Sequence, residues 1–212
     1  MAIQRTISPV DGSVYVEREQ ASAAAIEAAL DRAVAAQRAW REVPLEERAR
    51  LCSRMVDAFV ARRDALAEEL TWQMGRPIAA AAGEVGGFEE RARTMIALAG
   101  EALAPIRLGD KPGFTRYITR EPLGVSLVVA PWNYPYMTAV NALVPAMMAG
   151  NSVLLKHSAQ TPLCAERLQQ AGCGITLHGP FWDLGPGSVD PLVRQVSQLR
   201  LQQFFDLIPI FN

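Results

Sequence analysis

The residues best suited to chemistry are a carboxamide in a proline-bounded turn and a lysine at the end of an apolar run. Asn133 lies in the segment Pro131-Trp132-Asn133-Tyr134-Pro135, and Lys156 follows the apolar residues Val153 to Leu155. A carboxamide donates a hydrogen bond without carrying charge. A lysine at the carboxyl end of a strand lies where open α/β sheets bind ligands. Each residue also has an ordinary interpretation. An asparagine before a helix often caps it, and most lysines are solvated at the surface.

Cysteine and histidine usage excludes several kinds of site. The three cysteines, Cys52, Cys164 and Cys173, show no CxxC spacing, and the two histidines are His157 and His178. This pattern argues against a disulfide framework, a metal site or a Ser-His-Asp triad, and it favours a reducing cytoplasmic compartment. We expect Cys52 and Cys164 to be small buried side chains on helices.

Composition and charge narrow the class of protein further. The chain has 212 residues, of which 50% are hydrophobic and 20% charged, with a formal net charge of −1. These values are typical of a globular protein with one or two domains. With this net charge the chain has no excess of positive charge that would attract nucleic acid. No apolar run of about 18 residues predicts a membrane span, and the first residues lack a signal-peptide core.

The first half of the chain is predicted to be mostly helical. A turn at Ser8 to Gly12 lies between short apolar segments. Ser22 is a suitable N-cap, and apolar residues recur at helical spacing from there to Trp40. Good helix formers continue from Leu45 to about Met74, where Gly75-Arg76-Pro77 ends the helix. A third helix is predicted from about Ala79 to Leu103.

The second half switches to alternating strands and helices. The predicted strands are Phe114 to Arg120, Val125 to Ala130 and Ser152 to Lys156, and the predicted helices are Tyr136 to Met148 and Leu163 to Ala171. The β-branched run Val125 to Ala130 suits a strand buried on both faces. Strand, helix, strand and helix with short connections indicate an α/β fold with a parallel sheet.

A series of short motifs carries a family resemblance. In chain order they are Pro122-Leu123-Gly124-Val125, Val129-Ala130-Pro131-Trp132-Asn133-Tyr134-Pro135, Pro145-Ala146, Ala149-Gly150-Asn151, Leu155-Lys156 and Gln160-Thr161-Pro162-Leu163. This order and spacing closely resemble the aldehyde dehydrogenase superfamily, over roughly Ile7 to Gly172. The chain has no GxGxxG fingerprint, which is expected because this family binds its dinucleotide without one.

The resemblance implies a fold, a reaction and a set of site residues. The fold would be N-terminal helices plus part of the family's Rossmann-like parallel sheet, and the reaction would be NAD(P)-dependent oxidation of an aldehyde to an acid. Asn133 matches the asparagine that holds the oxyanion, and Lys156 matches the lysine on the adenosine ribose. The positions that match the dinucleotide groove are Val129, Ala130, Pro131 and Trp132, for which ordinary core packing is the alternative, most of all for the valine.

The cofactor could be NAD or NADP. Family members often carry a glutamate three positions after the lysine, on the ribose, and this chain has Ala159 there. Loss of that carboxylate removes repulsion toward a 2'-phosphate, so the choice between the two cofactors stays open at this point.

The same resemblance predicts that other catalytic parts of the family lie beyond residue 212. None of the three cysteines has the context of the family's nucleophile, and the general-base glutamate has no counterpart, so we expect this chain alone to be inactive.

Residues 1–172 would be part of the dinucleotide-binding domain, with part of the oligomerisation hairpin near 114–123. Residues 173–212 contain no lysine and no glutamate and are predicted to be a tail foreign to the family. An alternative function is a non-catalytic partner that pairs with a full-length subunit, or with its own copies, through residues 114–123.

Overall fold

The computed structural model of the protein describes residues 3–172. Within this range the helices are α1 (Ala23–Trp40), α2 (Leu45–Val60), α3 (Arg63–Met74), α4 (Ile78–Leu103), α5 (Pro135–Met148) and α6 (Leu163–Gln170). The strands are β1 (Ile3–Ile7), β2 (Val14–Glu19), β3 (Ile106–Arg107), β4 (Tyr117–Ile118), β5 (Val125–Ala130) and β6 (Ser152–His157). The predicted tail of residues 173–212 lies outside the described residues.

A parallel pair of strands forms the framework of the second half. β5 and β6 pair in register from Val125 opposite Ser152 to Ala130 opposite His157. α5 connects them and packs on both strands, so the predicted strand–helix–strand unit is confirmed. All six residues of β6 are buried. The carboxyl ends of both strands therefore reach the same edge of the sheet, where ligands bind in open α/β folds.

The prediction that β5 is buried on both faces is wrong. Val128 and Ala130 are buried, whereas Leu127 is 49% exposed and Val129 is 61% exposed. Successive side chains of a strand point to opposite faces, so one face of β5 is packed and the other is open within the described part of the chain. Leu127 and Val129 on the open face are as apolar as the buried Val128, so the residue types did not indicate this difference.

The predicted helix from Leu45 to Met74 is two helices. α2 ends at Val60 and α3 starts at Arg63, although neither glycine nor proline marks the break. Both helices pack on α4, and tertiary packing commonly overrides local helix propensity. At the break, Arg62 donates to the Gln170 side chain on α6, and Arg63 donates to the Ala82 carbonyl on α4.

The other predicted helices are confirmed with small changes at their ends. Ser22 caps α1 as expected, since its hydroxyl accepts a hydrogen bond of 3.2 Å from the Ala25 amide. Three aromatic rings join α2, α4 and α5 in the core. The Phe59 ring centroid lies 4.4 Å from that of Phe88 and 4.9 Å from that of Tyr136, with an edge-to-face arrangement for the second pair. Among residues 3–172, no helix has the length and apolarity needed to cross a membrane.

Two antiparallel hairpins complete the described structure. β1 pairs with β2 around the predicted turn, where the Gly12 amide donates to the Ser8 carbonyl at 2.9 Å. The predicted strand from Phe114 to Arg120 is wrong in extent, because its only ladder is Tyr117–Ile118 with Ile106–Arg107, and Phe114 makes an isolated bridge to Lys111. Both of these two-residue strands are exposed, and so short a hairpin gains little from its own pairing.

Gly150 offers a test of the connection between α5 and β6. Its φ is +85°, and an added Cβ would lie 2.6 Å from an Arg48 nitrogen and 3.0 Å from the Pro122 ring. We expect Gly150→Ala to lower the free energy of unfolding by about 1–3 kcal/mol, because a left-handed backbone strains any residue with a Cβ. Denaturant unfolding of the purified variant measures this change.

Gly83 provides the matched control for that measurement. It lies inside α4, is exposed, and has no atom within 4 Å of an added Cβ. Gly83→Ala should therefore raise stability by about 0.5–1 kcal/mol, since alanine loses less backbone entropy in a helix. Equal effects of the two substitutions would show that the Gly150 geometry is not as described.

Candidate active site

The predicted site residues gather at the carboxyl end of the parallel strand pair. Val129 on β5 stands opposite Lys156 on β6, and the turn containing Trp132 and Asn133 follows β5 directly. Val129 is 61% exposed and Trp132 is 51% exposed, whereas Ala130 and Lys156 are buried. The alternative of ordinary core packing is therefore wrong for Val129. Lys156 is likewise not the solvated surface lysine of the ordinary interpretation.

Asn133 does not cap the following helix. The N-cap of α5 is Tyr134, with φ 54° and ψ 52° and no side-chain capping bond. Tyr134 is the one non-glycine residue among the described residues with a positive φ. Asn133 is exposed, and its carboxamide makes no hydrogen bond within residues 3–172. The side chain is therefore available to donate to a ligand at the sheet edge.

Glu84 on α4 is a part of this site that the sequence-based predictions missed. Its side chain is buried, and Oε1 accepts hydrogen bonds from the backbone amides of Tyr136 at 3.0 Å and Met137 at 3.1 Å. Arg76 donates to the other oxygen. Burial raises the pKa of the Glu84 carboxyl above its ordinary 4.5, and the bonds to the two amides and to Arg76 offset part of that effect.

A sequence signal for Glu84 does exist in the helical spacing. Positions 81, 84, 85 and 88 follow the i, i+3, i+4, i+7 pattern of one helix face, and Ala81, Val85 and Phe88 are all fully buried. The carboxylate at position 84 of that face must be buried as well. A buried charge needs partners, so the spacing alone could have directed attention to it.

The segment after Lys156 is held by residues distant in sequence. Gln4 and Thr6 on β1 both donate to the Ala159 carbonyl, at 2.6 and 2.8 Å. The fully buried Gln73 on α3 accepts a hydrogen bond of 3.0 Å from the Leu163 amide at the start of α6. The N-terminal hairpin and α3 therefore fix the backbone next to Lys156, a role that composition and spacing did not reveal for Gln4, Thr6 or Gln73.

The cysteines in the described range do not belong to this site. Cys52 and Cys164 are both fully buried, as predicted. Burial raises the pKa of the Cys52 thiol to about 11, and it raises that of Cys164 further. Because the thiolate is the nucleophilic form, neither residue is suited to nucleophilic attack. Cys173 lies outside the described residues.

An apolar cavity of about 460 Å³ lies at the other end of β6. Its lining includes Trp40, Cys52, Leu143 and Ser152, and Ser152 is the first residue of β6. None of the predicted site residues lines it. Within residues 3–172, no group of three or more histidine, cysteine, aspartate or glutamate side chains is placed to hold a metal ion.

Comparison with known proteins places the chain in a family. The model of the aldehyde dehydrogenase family matches residues 2–173. The NADP(+) succinate-semialdehyde dehydrogenase 1 of Mycobacterium tuberculosis is 36% identical over 201 residues, which cover 89% of this chain and 42% of that protein. The 3,6-anhydro-alpha-L-galactose dehydrogenase of Streptomyces coelicolor is 32% identical over 163 residues, covering 75% of this chain and 32% of that protein.

A solved structure gives the same result for the fold. Succinic semialdehyde dehydrogenase from Streptococcus pyogenes, in complex with NADP+, superimposes with a TM-score of 0.77 and 27% identity, covering 92% of this chain and 42% of that one. The chain thus spans 32% to 42% of the length of these three proteins.

Thiol reactivity tests the burial of the two described cysteines. We expect Cys52 and Cys164 to be unreactive toward a disulfide reagent at pH 8 in the native protein, since a thiol with a pKa of about 11 is ionised in roughly one molecule in a thousand at that pH. The measurement uses the Cys173→Ser variant, so that only these two thiols are counted. Both should react after denaturation, and a rapidly reacting thiol in the native variant would contradict the structure.

Proposed function

Because the chain belongs to the aldehyde dehydrogenase family, we propose that it supplies the oxyanion donor and the adenosine side of the cofactor site in an NAD(P)-dependent aldehyde dehydrogenase. Residues 1–172 would be part of the dinucleotide-binding domain of that enzyme. The observation that carries the proposal is the position of the Asn133 carboxamide directly after β5, exposed and without a hydrogen bond among residues 3–172. It lies at the sheet edge where Lys156 is the next-to-last residue of the paired strand β6.

Asn133 would act on the oxygen of the aldehyde. When a thiolate adds to the carbonyl carbon, the carbonyl oxygen gains negative charge. A carboxamide N–H stabilises that oxygen and carries no charge of its own, so it favours the adduct over the neutral aldehyde. Removing one donor of this kind from an enzyme typically lowers kcat by about 10²–10³-fold.

The edge of the sheet also suits the adenosine half of a dinucleotide. NAD(P), when bound, accepts the hydride. Lys156 would donate to the adenosine ribose, and the exposed faces of Val129 and Trp132 would line the groove. Positions 156–161 contain no aspartate or glutamate, and Ala159 replaces the glutamate frequent in the family. We therefore favour a cofactor with a 2'-phosphate, as in the relative from Mycobacterium tuberculosis, whose name specifies NADP(+).

The two lysines of the chain allow a sharp test of this proposal. Lys111 and Lys156 are its only lysines, and Lys111 lies over the Phe114 ring in the exposed hairpin region. We expect Lys156→Met to weaken binding of adenosine 2',5'-bisphosphate about tenfold or more, since a hydrogen bond to a charged group contributes about 1.5–3 kcal/mol. Isothermal titration or ligand-observed NMR measures this affinity.

Lys111→Met is the matched control and should leave the affinity unchanged. The wild-type chain should also bind the bisphosphate more tightly than adenosine 5'-monophosphate. Equal losses in both lysine variants, or no binding by the wild type at concentrations that saturate related dinucleotide sites, would count against the proposed cofactor site.

A second candidate function is association through the short hairpin. The hairpin exposes a group of large apolar side chains, namely Ile106, Leu108, Phe114, Tyr117 and Ile118. Apolar side chains around an exposed strand edge favour pairing with another chain. The partner would be another copy of this chain or a longer family member, joined along residues 114–123.

Sedimentation tests this association. We expect the wild-type chain to self-associate as its concentration rises and Ile118→Lys to remain monomeric, because a charged residue on an edge strand opposes pairing. Ile78→Lys is the control, since Ile78 is an equally apolar exposed residue at the opposite end of α4. A monomeric wild type, or the same loss with both substitutions, would exclude the hairpin as the interface.

A further inference from the structure

We propose that Glu84 and Arg76 are positioning residues that hold the turn Trp132–Tyr134, and with it the Asn133 carboxamide, against the amino end of α5. The inference rests on the proposed oxyanion role of Asn133, which it deepens by naming what fixes that side chain in place. Neither residue would contact the aldehyde or the cofactor.

Glu84 caps α5 from a different helix. The first amides of a helix have no partner within it, and Pro135, the first residue of α5, has no amide hydrogen. The next two amides, of Tyr136 and Met137, both donate to Oε1 of Glu84. The carboxylate also lies at the positive end of the α5 dipole. Glu84 thus satisfies both amides at the point where the turn enters the helix.

Arg76 holds the same turn through a contact with the Tyr134 side chain. It precedes α4, pairs with Glu84, and is largely buried. Its guanidinium carbon lies 4.3 Å from the centroid of the Tyr134 ring. Tyr134 has a left-handed backbone, a conformation that persists in a non-glycine residue only where its surroundings determine it. Arg76 contacts the ring of Tyr134, and Glu84 binds the amides that follow it.

This arrangement leaves Asn133 free for chemistry. An asparagine at a helix start usually accepts a hydrogen bond from the helix amides with its own side chain. Here those amides are already bonded to Glu84, and the N-cap is Tyr134, which offers no capping bond. The Asn133 carboxamide consequently has no capping role, although the backbone that follows it is held by Glu84 and Arg76.

The neighbouring Trp132 gives a direct readout of the turn in the full chain. The four tryptophans are Trp40, Trp72, Trp132 and Trp182, so 5-fluorotryptophan labelling yields four ¹⁹F resonances, and Trp132→Phe assigns the one at the turn. Trp40 donates to the Met147 carbonyl in the last turn of α5, at 2.8 Å. It therefore reports whether α5 stays packed at its far end.

The expected result distinguishes positioning of the turn Trp132–Tyr134 from general stabilisation of α5. Glu84→Ala and Arg76→Ala should shift the Trp132 resonance by more than its linewidth and broaden it, while Trp40 stays unchanged. In Glu84→Gln the Trp132 resonance should lie closer to its wild-type position than in Glu84→Ala, because the glutamine amide oxygen can still accept hydrogen bonds from the two backbone amides. Glu89→Ala is the matched control on α4, since Glu89 pairs with Arg93 at the surface, and it should leave Trp132 unchanged.

Two outcomes would overturn the proposal. One is an unchanged Trp132 resonance in both alanine variants. The other is a joint movement of Trp132 and Trp40 in every variant at Glu84 and Arg76, which would show that the pair only supports α5. If Glu84→Ala does not fold, Arg76→Ala and Glu84→Gln still decide the question. The readout needs no catalysis, so failure of the nucleotide-binding test at Lys156 would count against the proposed function without affecting this result.

Discussion

Glu84 carries a buried carboxylate in the packing face of α4, and its partners come from two other parts of the chain. Arg76 approaches from the link between α3 and α4, and the amides of Tyr136 and Met137 come from α5. A charge taken out of water is costly unless it is paired and fully hydrogen-bonded. The packing of α5 against α4 and the course of the turn before α5 must therefore be compatible with this one group. The Phe59, Phe88 and Tyr136 rings pack in the same region, so the apolar core and the buried charge restrict the same helix pair.

The two ends of the candidate site are fixed by different means. Asn133 depends on the contacts at the amino end of α5. The segment beside Lys156 depends on β1, which donates hydrogen bonds to the Ala159 carbonyl. It also depends on Gln73, which accepts a hydrogen bond from the Leu163 amide. The register of β5 with β6 is what joins these two supports, because it sets Val129 opposite Lys156. The proposed oxyanion donor and the proposed ribose donor thus share one sheet edge without sharing their supporting residues.

Much of this architecture could be predicted from the sequence, and the exceptions have physical causes. The strands Val125–Ala130 and Ser152–His157, the cap at Ser22 and the stop at Gly75 depend on local periodicity and turn chemistry, which are visible in the chain. The site residues were found through a motif series rather than through periodicity. The break between α2 and α3 could not be predicted, because it depends on the packing of both helices on α4 and no glycine or proline marks it. The open face of β5 was missed because Leu127 and Val129 are as apolar as their buried neighbours, and Glu84 was missed because glutamate is usually solvated.

The bonds from β1 to the Ala159 carbonyl also set an order of events during synthesis. Gln4 and Thr6 leave the ribosome before their acceptor, which lies 155 and 153 residues later in the chain. At synthesis rates of about 5–20 residues per second, β1 waits roughly 8 to 30 s for this acceptor. The β1–β2 hairpin can close on its own within that time, since its pairing is local. The hydrogen bonds from β1 to the Ala159 carbonyl must be among the last to form within residues 3–172, because they require β6 to have been made.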